Sequence, residues 1–138
     1  MAKVSLDPYL FFMGNCKDAM EFYKGIFGGE LNVSLYDSIP GDKPENSTGK
    51  VMHASLAGGE IDLMASDSTR TEPFAESFIS LSLSGTDIEK LTGLFDQLAD
   101  GGIITSALKK ESWGDTFGTL TDKFGVDWMV NIGTDAKV

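Results

Sequence analysis

The same order of secondary-structure elements can be read twice along this chain, and that repetition limits the fold more than any single motif. Pro8 to Met13 (PYLFFM) is an aromatic run bounded by turn formers, which reads as a buried strand. Asn15 then stands as an N-cap, with Asp18 in the first turn where the helix dipole favours negative charge. Ala19, Phe22, Tyr23, Ile26 and Phe27 follow at the spacing of an amphipathic helix, which Gly28-Gly29 stops. Glu30 to Tyr36 alternates as a second strand. Asp37 to Lys50, with Pro40, Gly41, Pro44 and Gly49, is a long exposed loop, and Val51 to Asp67 carries two more strands. The second half restarts at Phe78 to Leu83 (FISLSL). A Thr86-x-x-Glu89 capping box opens a helix with the stripe Ile88, Leu91, Phe95 and Leu98, stopped by Gly101-Gly102. Ile103 to Leu108, Thr116 to Thr121 and Val126 to Ile132 supply three further strands. The order β-α-β-β-β thus recurs after about 70 residues, as a repeat of pattern with little identity of letters.

The stretch Val51 to Asp67 (VMHASLAGGEIDLMASD) suggests where a site would lie. With Gly58-Gly59 as a two-residue hairpin turn, Ala57 faces Glu60, Ser55 faces Asp62 and His53 faces Met64. Side chains alternate along a strand, so Met52, Ala54, Leu56, Ile61, Leu63 and Ala65 form a core-facing set. His53, Ser55, Asp62 and Met64 share the other face. The single histidine of the chain is then one diagonal from the Asp62 carboxylate, within reach of long side chains. An adjacent carboxylate orients an imidazole and favours its protonated form, as a general acid or base near neutral pH requires.

Size and charge exclude several classes. At 138 residues the chain is long enough for one domain with a real core, and 41% hydrophobic and 23% charged residues suit a globular protein. A net charge of −10 disfavours nucleic acid and anionic membranes, both of which are bound through clustered Lys and Arg. No apolar run approaches the roughly 20 residues needed to span a bilayer. One cysteine excludes an internal disulfide and suggests a reducing compartment, so a cytoplasmic location is expected. Cys16 itself follows the N-cap, where a helix dipole lowers a thiol pKa. With no second cysteine or histidine beside it, a buried and inert thiol is the preferred reading.

Three segments carry a family resemblance: PYLFFMGNCKDAMEFYKGIFGGEL, VMHASLAGGEIDLMASD and WGDTFGTLTDKFGVDWMVNI. Together, over Pro8 to Ile132, they resemble the PhnB-like branch of the glyoxalase/bleomycin-resistance superfamily, also called vicinal oxygen chelate. The resemblance implies an α+β fold of two βαβββ modules with a U-shaped cleft, and a homodimer. Module one would span residues 8–66 and module two residues 78–132, joined by a linker over 67–77 within a single glyoxalase-like domain. Members often carry a ubiquinone-methyltransferase label. The sequence lends it no support, having no glycine-rich loop between a parallel strand and a helix of the kind a nucleotide-type cofactor uses.

Metal-dependent members of the superfamily place ligands on the first and last strand of each module. Laid on that pattern, this chain offers Pro8, Asp62, Phe78 and Met129. Proline and phenylalanine cannot ligate, and methionine is a soft donor, so neither a metal nor any other cofactor is expected. The cleft implied by alternation is lined by Leu10, Phe12, His53, Ser55, Asp62, Met64, Phe78, Ser80, Asp127, Met129 and Asn131, with Trp113 at its rim. Of these, Phe12, Ser55, Met64, Phe78, Trp113, Met129 and Asn131 are the candidate ligand contacts, and His53 with Asp62 the candidate catalytic pair. The preferred reading is a metal-independent protein that binds a small organic molecule. The alternatives are a lyase or isomerase using His53 and Asp62 on a small oxygenated substrate and, more distantly, a metal-dependent glyoxalase or dioxygenase.

Overall fold

A computed structural model describes residues 6–72 and 79–134. The chain divides into two compact units, Met1–Ala75 and Glu76–Val138. Unit 1 contains strand β1 (Tyr9–Phe12), helix α1 (Cys16–Phe27), and strands β2 (Glu30–Leu35), β3 (Val51–Ala57) and β4 (Leu63–Asp67). Unit 2 contains β5 (Leu81–Gly85), α2 (Ile88–Ala99), β6 (Ile103–Lys110), β7 (Thr116–Thr121) and β8 (Asp127–Ile132). Each unit is therefore one βαβββ module. Its four strands form one mixed sheet, in the order β1-β4-β3-β2 and β5-β8-β7-β6, with a parallel pair at one edge.

Each helix packs on one face of its own sheet, as the stripes in the sequence require. In unit 1 the fully buried side chains of α1 are Cys16, Ala19, Met20, Tyr23 and Phe27. They meet the row Leu10, Ala65, Ala54 and Val33, read across all four strands, and the Leu63–Leu56–Leu31 row beside it. The alanines at the centre leave room for the tyrosine and methionine of the helix. In unit 2 Leu91, Leu94, Phe95 and Leu98 pack over Leu120, Trp128, Val130 and Ile132. Burial on this scale, at about 25 cal/mol per Å² of apolar surface, is the main force holding each module together.

The structure corrects three expectations. The β3–β4 connection is not a two-residue turn: Leu56 pairs with Leu63 and Ser55 with Met64, so residues 58–62 form the loop. The loop is lengthened by a contact that no hairpin rule contains. The Glu60 amide donates to the Phe27 carbonyl at the end of α1, at 3.0 Å. Gly59 permits this approach, since a Cβ there would meet the Gly28 and Phe27 carbonyls at 2.5 Å. The register slips by two residues, so the faces of the paired residues survive. Ile61 and Asp62, however, fall outside β4, Asp62 is exposed, and a bulge in the β2–β3 pairing buries Val51 in place of Met52.

The second correction concerns helix starts. Asn15 occupies the N-cap position of α1 without a side-chain cap bond. The Asp67 carboxylate, arriving from the end of β4, accepts from Gly14 N at 2.8 Å and Cys16 N at 2.9 Å instead. Asp67 is thus the last residue of a strand, not the start of a linker. In α2 the cap is Asp87 and not Thr86, its side chain accepting from Lys90 N at 3.0 Å. The third correction is to the strand opening unit 2. It runs over Leu81–Gly85, three residues later than expected, because its parallel partner in β8 spans Trp128–Ile132. Phe78, a candidate ligand contact, lies outside the described residues.

Candidate functional site

The face of each sheet turned away from its helix is where polar and exposed aromatic side chains collect. In unit 1 one row across this open face reads Tyr9, Met64, Ser55 and Asn32. The next holds Phe11 opposite Ser66 and His53 opposite Ser34. Tyr9 reaches diagonally over β4 so that its Oη lies 3.1 Å from His53 Nδ1, with the two rings 5.7 Å apart. Either atom can donate, according to the imidazole tautomer. Phe11 stacks beside Tyr9 at 5.1 Å and is 58% exposed, and Met13 beyond it is 39% exposed. Large apolar side chains are thus exposed beside the histidine.

Several candidates from the sequence stand on this face and others do not. His53, Ser55 and Met64 lie there, half-buried and adjacent. Phe12 does not. It stands opposite Asp67 on the helix side and is 4% exposed, so it belongs to the core, and Leu10 faces the same way. Tyr9 and Phe11 take the places expected for these two. Asp62 is not beside His53, whose described polar partner is Tyr9.

In unit 2 the corresponding face carries Ser82 opposite Met129 and Ser84 opposite Asn131, with Thr119 and Phe117 continuing the two rows on β7. Met129 and Asn131 therefore stand where alternation put them. The Asn131 amide donates to the buried Asp115 carboxylate at 2.9 Å, and Thr121 donates to Asp127 at 2.6 Å. Trp113 is 57% exposed and packs edge-on against Phe117 at 6.1 Å. Its turn is closed by Glu111 N to Asp115 O at 2.7 Å and Gly114 N to Glu111 O at 3.0 Å. The indole is thus presented on a fixed hairpin tip.

Two buried carboxylates that sequence reasoning passed over organise the surroundings. Besides capping α1, Asp67 accepts from Val51 N at 3.0 Å, tying the start of β3 to the helix. Asp122 accepts from Phe124 N, Val126 N and Trp128 Nε1, at 2.8, 3.1 and 2.9 Å. Cys16 is fully buried beside Asp67. Burial pushes its thiol up from 9.0 to about 12, the Asp67 charge adding to the effect, so no dipole-activated thiolate exists here.

That shift has a pH signature. The unfolded chain loses the Cys16 proton near pH 9 and the folded chain near pH 12, so between them the unfolded state binds fewer protons. The stabilisation is complete below pH 9 and is lost as pH rises toward 12. The slope reaches about 1.4 kcal/mol per pH unit. Urea unfolding from pH 8 to 11 should show this fall in wild type and a shallower one in Cys16→Ala. Equal slopes would contradict the assignment.

The described residues can be set against the donors that a metal ion or a nucleotide-type cofactor would need. Among the described residues no three His, Cys, Asp or Glu side chains come close enough to hold a metal ion. Of the positions matched to superfamily ligands, Pro8 precedes β1, Asp62 precedes β4, and Met129 stands on the open face of unit 2. A nucleotide-type cofactor would use the free amides of a strand–helix turn. Those of Gly14 and Cys16 already bond to Asp67, and the Lys90 amide at the start of α2 bonds to Asp87.

Comparison with known proteins decides the family. A family model described as 3-demethylubiquinone-9 3-methyltransferase matches residues 4–131. The chain belongs to this family. A solved PhnB protein carries the same description, which makes this chain PhnB-like. Among relatives of this PhnB-like protein, YjdN of Escherichia coli (strain K12) is 33% identical, over 92% of this chain and 94% of YjdN. The crystal structure of PA1353 from Pseudomonas aeruginosa is 36% identical with a TM-score of 0.83, covering 96% of this chain and all (100%) of PA1353. A PhnB protein from Bacillus cereus, described as a putative 3-demethylubiquinone-9 3-methyltransferase, is 28% identical with a TM-score of 0.75, over 94% and 100% of the two chains. At the level of fold alone, a glyoxalase family protein from Enterococcus faecalis superposes with a TM-score of 0.59 at 18% identity, over 94% of this chain and 97% of its own. No helix among the described residues is long and apolar enough to cross a membrane.

Proposed function

We propose that this PhnB-like protein binds a small organic molecule on the open face of its sheets, without a metal ion. The observation that carries this reading is the Tyr9–His53 pair, with the exposed ring of Phe11 beside Tyr9 on unit 1. Aromatic and thioether surface beside convergent polar groups is a composition that suits a small-molecule site. Ser55 and Met64 complete that surface, and Met129, Asn131 and Trp113 offer similar groups on unit 2. The donor set supports the metal-free part, since His53 and Glu30 are the only nitrogen or carboxylate donors of their type at strand positions of the open face of unit 1. Methyl transfer gains no support from the strand–helix turns, where the Gly14, Cys16 and Lys90 amides bond to Asp67 and Asp87. A lyase or isomerase built on His53 and Asp62 loses its carboxylate, because Asp62 lies in the loop before β4, outside the pairing with β3.

A thermal-shift screen of small organic compounds in chelator tests the reading. A ligand at 100 times its dissociation constant should stabilise by about 2.7 kcal/mol. An empty screen in chelator, with hits appearing once a divalent metal is added, would overturn it. We also take the protein to be a homodimer, because each sheet has two unpaired edges within its unit and such edges are normally covered. Light scattering should give twice the 14.8 kDa of one chain at micromolar concentration, and the single-chain mass would refute this.

A further inference from the structure

We infer that the open face of unit 1 selects an uncharged, planar molecule that carries a hydroxyl or carbonyl group, held by the free edge of His53. This rests on the small-molecule reading and adds the ligand's chemical class to it.

The strand positions of this face are Tyr9 and Phe11 on β1, Met64 and Ser66 on β4, His53, Ser55 and Ala57 on β3, and Glu30, Asn32 and Ser34 on β2. None is a lysine or arginine. A carboxylate or phosphonate needs a cation or a nest of amides, and at the start of α1 the Gly14 and Cys16 amides are bonded to Asp67, whose own charge opposes an anion there. A bound anion would lose its hydration with little in return. An organic cation fares no better, because the only carboxylate of the set, Glu30, stands on β2. That is three strands from Tyr9 and, at about 4.8 Å per strand, roughly 14 Å away.

The shape term favours a flat body. The exposed rings of Phe11 and Tyr9 lie 5.1 Å apart, with Met64 opposite Tyr9 on the next strand, and a thioether adapts to apolar outlines. The polar term comes from the imidazole. Tyr9 occupies Nδ1, and no described group bonds Nε2. If the tyrosine donates to Nδ1, the proton lies on Nε2 and a ligand carbonyl is accepted. If Nδ1–H donates to the phenol oxygen, Nε2 is an acceptor and a ligand hydroxyl fits. A neutral hydroxyl or carbonyl compound is the class that both tautomers serve.

The chain has one histidine, so its imidazole signal in a proton NMR spectrum of untagged protein needs no assignment. The test titrates three probes that share a ring system: 2-naphthol, 2-naphthoate and (2-naphthylmethyl)ammonium. At pH 7.5, 2-naphthol should move the imidazole signal saturably and bind at least about tenfold more tightly than either ion. His53→Ala should weaken it by about tenfold, as expected for a lost buried hydrogen bond, and Tyr9→Phe by a few-fold. The wild-type signal gives the answer even if a variant misfolds. Tighter binding of either ion, or naphthol binding that leaves the imidazole unmoved, overturns the ligand class while small-molecule binding itself stands. No saturable binding of any probe also overturns the inference, whereas the wider reading falls only with an empty compound screen.

Discussion

Replacing Asp67 with alanine is expected to lower the unfolding free energy by about 3–5 kcal/mol, a large share of the roughly 5–15 kcal/mol typical of a folded domain. The carboxylate is 3% exposed and accepts from three backbone amides on two different segments, Gly14 and Cys16 at the start of α1 and Val51 at the start of β3. Truncation leaves these donors without a partner, at about 1–3 kcal/mol each, partly relieved where water reaches the exposed Gly14. Asp67→Asn retains one acceptor oxygen and should cost about half as much. Urea unfolding followed by circular dichroism measures both. A cost below about 1 kcal/mol for the alanine variant would mean that the helix start is held by something else.

In unit 2, Asp122→Ala should cost a similar amount, about 3–5 kcal/mol, for a different structural reason. Here one carboxylate closes the turn between β7 and β8 through Phe124 N and Val126 N, while it also satisfies the indole N–H of buried Trp128. The same turn is held by Gly125 N to Asp122 O at 2.9 Å and by Asp122 N to Val126 O at 2.8 Å. Losing the side chain therefore strands a buried indole donor and loosens the register that puts Asp127, Met129 and Asn131 on the open face. Fluorescence in a Trp113→Phe background, where Trp128 is the one remaining tryptophan, reports the local change, and urea unfolding reports the global one. A stable variant with unaltered Trp128 emission would show that water replaces the carboxylate.

What the sequence revealed depended on how many elements each feature needs. The helices were legible because Ala19, Tyr23 and Phe27, or Leu91, Phe95 and Leu98, repeat at helical spacing within one segment. The double glycines after each helix were legible as stops, and they also allow close backbone approaches. A Cβ on Gly29 would lie 2.7 Å from the Ala57 carbonyl oxygen, and one on Gly102 would collide with that of Thr121. The faces of β3 and β4 were legible because His53 and Ser55 alternate with Ala54 and Leu56, and a slip of two residues leaves alternation intact.

The face of β1 was not legible, since Tyr-Leu-Phe-Phe contains no polar residue to mark one side. Only its parallel pairing, with Leu10 opposite Ala65, places Tyr9 and Phe11 outward. The length of the 58–62 loop depended on the end of α1, and the roles of Asp67 and Asp122 on amides distant or turned back in the fold. Local pattern holds no signal for such contacts. The partner of His53 was misread for the same reason: the imidazole meets a phenol from β1, 44 positions earlier in the chain, and not the carboxylate of its own hairpin.

Isothermal titration of the strongest compound from the screen, against wild type and His53→Ala in excess chelator, tests the central claim most directly. The wild-type dissociation constant should be the same with and without chelator. His53→Ala, with its fold verified by circular dichroism, should bind about 1–3 kcal/mol more weakly, the effect of removing a hydrogen-bonding partner from a desolvated site. Affinity that vanishes in chelator and returns with a divalent metal, or that is unchanged by loss of the imidazole, would contradict the account.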